Sequence, residues 1–133
     1  MIRLEIVTPE KKVVDAEVDS VTLPTASGEA GILPNHAPLI SALKPGILAY
    51  TQRGTTERIA VGGGFVEVSS DKVSVLADSA ETSSEINVEA ARTQLQEAER
   101  AIASAATQPV DETESLREQL ESADARLRLA AGR

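Results

Sequence analysis

Cysteine is absent from all 133 residues. Disulfides, thiolate metal ligands and thiol nucleophiles are excluded together. Tryptophan is absent as well, and Tyr50 and Phe65 are the chain's only large aromatic side chains. Sugar platforms and base-stacking surfaces ordinarily need more. Histidine occurs once, as His36, so no two imidazoles can share a metal. Only an all-carboxylate site would remain, and no Asp/Asn/Gly loop of the calcium-binding kind is present. Positive charge is in short supply: 13 Lys and Arg face 21 Asp and Glu, a net charge of −8. Such a chain repels phosphate backbones, so nucleic acid is not an expected partner. No apolar run approaches the roughly 20 residues of a membrane span. The N-terminus shows neither a secretory signal nor an Arg/Ser-rich transit peptide, so a bacterial-type cytoplasm is the expected location.

What is present divides into two grammars. Hydrophobic residues make up 41% of the chain, enough to expect a packed core. Residues 1 to about 80 hold five of the six prolines, seven of the eight glycines and every lysine. This half reads as short strands: "IRLEIVT" alternates Ile2, Leu4 and Ile6 with polar residues, and "AEVDSVTLP" sets Val18, Val21 and Leu23 in a β-rich run. "GILAYTQRGTTERIAV" is two strands around a turn at Arg53-Gly54. "GFVEVSSDKVSVLAD" is a second pair, with Phe65, Val66, Val68, Val73, Val75 and Leu76 as its apolar members. Many short β runs with no helix between them predict an antiparallel sandwich or barrel. The Ser/Glu-rich stretch "DSAETSSEIN" reads as a linker, dividing residues 1–84 from residues 85–133.

Beyond it the period changes. Val88, Ala91, Leu95, Ala98, Ile102 and Ala105 step by three and four, as do Leu116, Leu120, Ala123, Leu127 and Ala130. Two such seams predict an antiparallel helical hairpin, with Pro109 between the helices. Asn87 is a candidate N-cap for the first helix, and Ser115 with Glu118 a candidate capping box for the second. Alanine fills many seam positions, and each forgoes roughly 2 kcal/mol of burial relative to leucine. The hairpin is therefore expected to be weakly held and able to undock reversibly. Eleven carboxylates decorate residues 81–133 against six arginines, a solvated face or a partner surface.

One stretch draws the eye for chemistry. "GEAGILPNHAPLISALKPG", residues 28–46, surrounds His36 with three glycines and three prolines. A catalytic imidazole needs a positioned carboxylate, nucleophile or metal. Glu29 and Ser41 are the nearby candidates, at no recognisable spacing. The residues fit a stiff bend better, because Leu33 and Ala37 precede prolines, Pro34 and Pro38 have fixed φ, and Gly28 and Gly31 permit turns. Gly62-Gly63-Gly64 leads into a strand rather than into the Lys-Ser/Thr and helix of a phosphate loop. It reads as a bulge or close strand crossing.

The words "LPTASGEAGILPNHAPLISALKPG" and "AVGGGFVEVSSDKVSVLAD" resemble the epsilon subunit of F-type proton-translocating ATP synthases. The resemblance runs across the whole β half, and the hairpin agrees in position and length. It implies a sandwich of about ten strands followed by a two-helix hairpin. It also implies a noncatalytic rotor subunit without cofactor or metal, which clasps the gamma subunit and stands on the c-ring. Torque from proton flow would pass through it, and the hairpin would lie folded or extend toward the catalytic alpha/beta hexamer and restrain ATP hydrolysis. Membrane contact would be indirect, through the c-ring, on the cytoplasmic face of a bacterial inner membrane. The implied partner contacts are Glu29 toward the c-ring, His36 toward gamma, and Gly31 and Pro38 beside them.

Some relatives bind ATP at the hairpin through an Ile/Leu-Asp-x-x-Arg-Ala motif. Here Asn87 follows Ile86 and Ala90 stands in the arginine position. Arg92 lies about 200° around the helix from Ala90 and is no substitute. Arg126 matches a helper arginine, so hairpin ATP binding is expected to be feeble or absent. Six acids from Asp111 onward oppose four arginines, which weakens attraction to acidic loops and predicts modest inhibition at most. Two other readings stay open: a nucleotide-sensing module in which ATP closes the hairpin, and an enzyme or ligand-binding sandwich built around His36.

Overall fold

The computed structural model describes residues 1–105 and 110–132. Pro109, expected between the helices, lies outside them. Among the described residues eight strands form one hydrogen-bonded sheet: β1 (Ile2–Val7), β2 (Lys12–Val18), β3 (Ser20–Thr25), β4 (Gly28–Ile32), β5 (Leu39–Gln52), β6 (Thr55–Ser69), β7 (Lys72–Ala77) and β8 (Ala80–Thr82). Their order is β2-β1-β7-β6-β5-β3-β4, with β8 beside β6. All pairings are antiparallel except β1 with β7.

The strand count differs from ten because β5 and β6 serve both layers of the sandwich. They pair with each other on both sides of Lys44 and Gly63, from Leu39 opposite Val68 to Gln52 opposite Thr55. Along the same edge of β6, residues 64–69 pair with β7 and residues 59–61 with β8. Halving each long strand restores ten segments. The core records the crossing. Ile59 and Val61 face it early in β6, and Val66 and Val68 face it later, so the two-residue alternation slips by one across the glycines. β5 slips in step: Leu39 and Leu43 pack toward the core on one side of Pro45, Leu48 and Tyr50 on the other.

The glycine triplet is the close strand crossing the sequence predicts. Gly63 and Gly64 have φ of 106° and 136°, a region only glycine enters freely. A Cβ on Gly64 would collide with the Leu76 carbonyl oxygen and sit 3.0 Å from Ala77 Cα. The Arg53-Gly54 turn also forms as expected, with φ of 52° and 80°, the twist that suits a two-residue hairpin.

The serine-rich stretch read as a linker is structured. It carries β8 and a 3-10 turn, Ser83–Glu85, whose entry is locked by Thr82: its backbone N–H and hydroxyl both donate to Glu85 Oε1 at 2.9 Å. Those bonds, the backbone one foremost, hold the Glu85 carboxyl below its ordinary pKa. The linker signal fails because serine and glutamate satisfy the backbone locally as readily as they solvate a loop.

Helix α1 (Val88–Ser104) begins at Asn87, whose side-chain oxygen accepts from the Ala90 amide at 3.0 Å. A cap of this kind contributes about 1 kcal/mol. Helix α2 spans Val110–Ala131. Ser115 and Glu118 therefore lie inside it and form no capping box, since amides there are already bonded within the helix. Every expected seam position is buried or half-buried, and the alanines, Ala91, Ala98, Ala105, Ala123 and Ala130, are the buried ones. Sequence reasoning missed Ala125 and Leu129, also buried on α2. Leu129 and Ala130 pack on Ala60 and Ile86, with Ile47 and Val88 alongside. Ile47 and Ala60 are cross-strand partners, so α2 lies across β5 and β6.

Candidate functional site

Two outward surfaces and one half-buried cluster hold the side chains of interest. The first surface is the sheet edge at β4 and the 33–38 loop that follows. Glu29 and Gly31 are both exposed and two residues apart on β4, while Ala30 and Ile32 turn inward. Gly31 takes no turn: it sits in a strand opposite Thr22, with ordinary backbone and open space where a Cβ would go. The positive φ values fall instead on Gly28, at 111°, and Asn35, at 65°. The Asn35 amide donates to Asp71 Oδ1 at 3.0 Å, tying the loop to the β6–β7 turn. His36 is half-buried, and its Nδ1 donates to the Ala37 carbonyl at 2.7 Å. Ser41 Oγ donates to the Ala42 carbonyl at 3.0 Å, so neither side chain activates the other. Pro38 is exposed just ahead of β5. Fixed prolines and a side-chain tether thus hold His36 in a shaped loop, and Leu33, 64% exposed, stands at its start.

The second surface crosses β1, β7, β6 and β5 on the face opposite the core. Val7 pairs with Leu76, Leu76 with Phe65, and Phe65 with Ala42. This places four apolar residues in one row across β1, β7, β6 and β5, facing away from the core. Phe65 is 63% exposed and Leu76 60%, and Ile40, two residues before Ala42 on the same face, is 77% exposed. Phe65 and Leu76 are apolar members of the β6–β7 pair as the sequence predicts, and the structure places both on its outer face. The signal was in the alternation: Val66, Val68, Val73 and Val75 share one face, and Phe65 and Leu76 fall on the other. A contiguous apolar row on a small domain marks an interaction surface. The row floors a groove of about 640 Å³, which continues past Pro45 and Gly63 to Glu114 and Glu118 of α2.

The half-buried cluster joins the hairpin to the sandwich. The Arg126 side chain is only 18% exposed. Its Nε lies 2.7 Å from Glu81 Oε1 on β8, yet its N–H is not aimed at that oxygen, so charge rather than a directed hydrogen bond holds the contact. Nη1 donates to Gln94 Oε1 of α1 at 3.1 Å, and Nη2 reaches Glu81 Oε2 at 3.5 Å. One side chain of α2 thereby engages both the sandwich and α1. Asn87, at the position where the resembling motif has an acid, is occupied as the helix cap. The structure thus does not gather Arg126 with Glu29, Gly31, His36 and Pro38, which belong to the β4 edge and its loop. Among the described residues no three His, Asp or Glu side chains are arranged to hold a metal ion.

Residues 1–83 match the family described as the ATP synthase delta/epsilon chain, beta-sandwich domain. The ATP synthase epsilon chain of Carboxydothermus hydrogenoformans is 53% identical over 102 residues, covering 77% of this chain and 76% of that one. The ATP synthase epsilon chain of Anaeromyxobacter dehalogenans is 42% identical over 130 residues, covering 98% of this chain and 92% of that one. Among solved structures, a chain in the cryo-EM structure of the Euglena gracilis mitochondrial ATP synthase, OSCP/F1/c-ring in rotational state 1, is similar with a TM-score of 0.77. Its identity is 26%, with 98% of this chain and 81% of that chain covered. A chain from the Tetrahymena thermophila mitochondrial ATP synthase central stalk and c-ring shares the fold, with a TM-score of 0.55 and 16% identity over 63% of this chain and 68% of its own.

Proposed function

This chain belongs to the epsilon-chain family of ATP synthases, and from that premise we propose that it is a noncatalytic subunit of the rotor, gripping gamma and standing on the c-ring. The observation that carries the grip is the outward-facing row of half-buried Val7 and exposed Leu76, Phe65 and Ala42. An apolar surface this continuous is unfavourable in water and favourable against a matching partner. The β4 edge with Glu29 and Gly31, and the loop with His36 and Pro38, is the second contact, directed to the c-ring and the adjoining part of gamma. Its bend has little conformational freedom left to lose on docking. Membrane association is then indirect, at the cytoplasmic face of a bacterial inner membrane; no described helix is long and apolar enough to cross one. His36 bonds to a backbone carbonyl, which supports a contact role over a catalytic one.

Residues 1–84 act as the grip and residues 85–133 as the regulatory hairpin. Replacing both Phe65 and Leu76 by glutamate is expected to abolish co-purification with gamma while leaving the circular dichroism of the chain intact, because both side chains already face solvent. Retention of gamma by the double variant would refute the assignment of the row. Removing the hairpin after Ser84 is expected to raise ATPase activity of the assembled enzyme no more than a few-fold, since the acidic excess opposes docking on acidic loops. A many-fold rise would overturn the expectation of modest inhibition.

The nucleotide-sensing alternative depends on Arg126 as its helper arginine. That guanidinium is engaged by Glu81 and Gln94, so an incoming phosphate must displace a carboxylate. Calorimetry on the full chain is expected to show no micromolar ATP affinity; such affinity would favour the alternative.

A further inference from the structure

Proline stiffens four of the six residues in the 33–38 loop. Pro34 and Pro38 have a fixed φ, and Leu33 and Ala37, each ahead of a proline, are biased toward extended backbone. Asn35 and His36 keep two soft dihedrals each, so the direction in which the loop points rests on them. His36 is tethered locally, its Nδ1 donating to the carbonyl of the next residue, Ala37. Asn35 is tethered at long range: its amide donates to Asp71 Oδ1 at 3.0 Å, across 36 residues of sequence. Its φ is 65°. Asparagine enters this left-handed region more readily than most residues, but negative φ remains its preferred state. Something must select the rarer conformation, and the Asp71 carboxylate is the group bonded to that amide.

Asp71 is itself anchored in the sheet. It lies in the two-residue turn between Ser69 and Lys72, which pair across β6 and β7. Its carbonyl oxygen accepts the Arg3 amide at 2.7 Å, where β1 runs parallel to β7. The Asp71 main chain thus belongs to the hydrogen-bonded end of the sheet, while its side chain reaches out to the loop.

We propose that Asp71 is a positioning residue for the rotor contact: by holding Asn35 left-handed it fixes the pose in which His36 and Pro38 meet the partner. The inference rests on the reading of the 33–38 loop as a contact, and adds the group that decides how the loop is presented. The prolines make the two ends of the loop stiff, and Asp71 sets the angle at which those ends are joined. Without its carboxylate, Asn35 relaxes toward negative φ and the His36 side of the loop swings away from the Pro34 side. A partner then binds only the fraction of chains in the competent pose, and the affinity falls by that fraction.

The test uses the full chain and the purified gamma and c-ring assembly of the same enzyme. Asp71→Ala is expected to weaken binding roughly three- to tenfold, the range for one net hydrogen bond. Hydrogen exchange of the Asn35 amide should accelerate by a similar factor, while the amides of Val66, Val68, Val73 and Val75 exchange as before. Asp71→Asn keeps an oxygen at the same reach and removes the charge, so it should restore both. Asn35→Val keeps the amide but resists positive φ. It should weaken binding as D71A does and add little when combined with it, because both act through one dihedral. Wild-type binding by D71A overturns the proposal. So does a D71N variant as weak as D71A, which would make Asp71 a charged contact, and so does a D71A/N35V loss equal to the product of the two single losses. His36→Glu separates these failures from that of the underlying reading. If H36E weakens binding while D71A does not, the loop is a contact and Asp71 alone is wrong. If both bind as the wild type does, the loop is no contact and the proposal falls with it.

Discussion

Gly64→Ala is expected to leave little folded protein. Two effects combine at that position. Its φ of 136° costs a non-glycine residue about 1–3 kcal/mol. The added methyl also meets the Leu76 carbonyl oxygen and Ala77 Cα, which are backbone atoms of the neighbouring strand and have no rotamer into which to retreat. Relief requires separating β6 from β7 at the register pair Gly64–Ala77, beside buried Val66 and Val75. A total loss of 3 kcal/mol or more is expected, against a typical domain stability of only about 5–15 kcal/mol. Thermal denaturation followed by circular dichroism should show a Tm lowered by ten degrees or more, or no soluble protein. Gly31→Ala is the internal control. It has ordinary backbone and nothing within 4 Å of the new Cβ, so its Tm should barely move. Equal effects at the two positions would remove the argument from close strand approach.

Glu81→Ala should release the hairpin while sparing the sandwich. The substitution strands the Arg126 guanidinium, 18% exposed, without the carboxylate that balances it. Losing one partner of a buried pair costs more than the pair itself contributes. Because this pair is only partly buried, about 2 kcal/mol is expected, below the figure for a fully buried one. The apolar contact beneath α2 is small, with Ile86, Ala60, Leu129 and Ala130 at its centre, so the ion pair forms a large share of what holds α2 down. Hydrogen exchange of the α1 and α2 amides should accelerate about 30-fold while the core of β6 and β7 is unchanged. Arg128→Ala provides the contrast, since its pairing with Asp124 is exposed on both sides and should move nothing measurable. If the helical amides of the wild type exchange as slowly as those of the sandwich, and Glu81→Ala leaves them so, reversible undocking is refuted.

The core was readable because β1 and β7 keep strict alternation: Ile2, Leu4 and Ile6, then Val73 and Val75, are all essentially inaccessible. The helices were readable from period, and their first boundary from the chemistry of Asn87. The second boundary was misplaced because Ser115 imitates a cap inside a segment whose pattern already suits a helix. β8 was hidden by composition, since three residues, Ala80–Thr82, are too short to show a period. The partner surface lay in plain view as a parity fact about Phe65 and Leu76. Reading it required knowing that β6 changes face at its glycines, and that is a property of pairing between distant segments. Arg126 could be named from sequence, but its company could not, because Glu81 is 45 residues away.

The paired crossing of β5 and β6 has a mechanical consequence. In a sandwich joined only by side chains, a load on one layer is resisted by contacts that can slide. Here two adjacent main chains run unbroken from one layer into the other, paired with each other from Leu39–Val68 to Gln52–Thr55 on both sides of Lys44. A sideways load applied near the start of β5 would have to stretch covalent bonds or unzip the molecule's longest ladder before the layers could shear. The domain is thus braced like a folded beam, with its crease at the one place, Gly62 to Gly64, where the backbone has no side chains to crush.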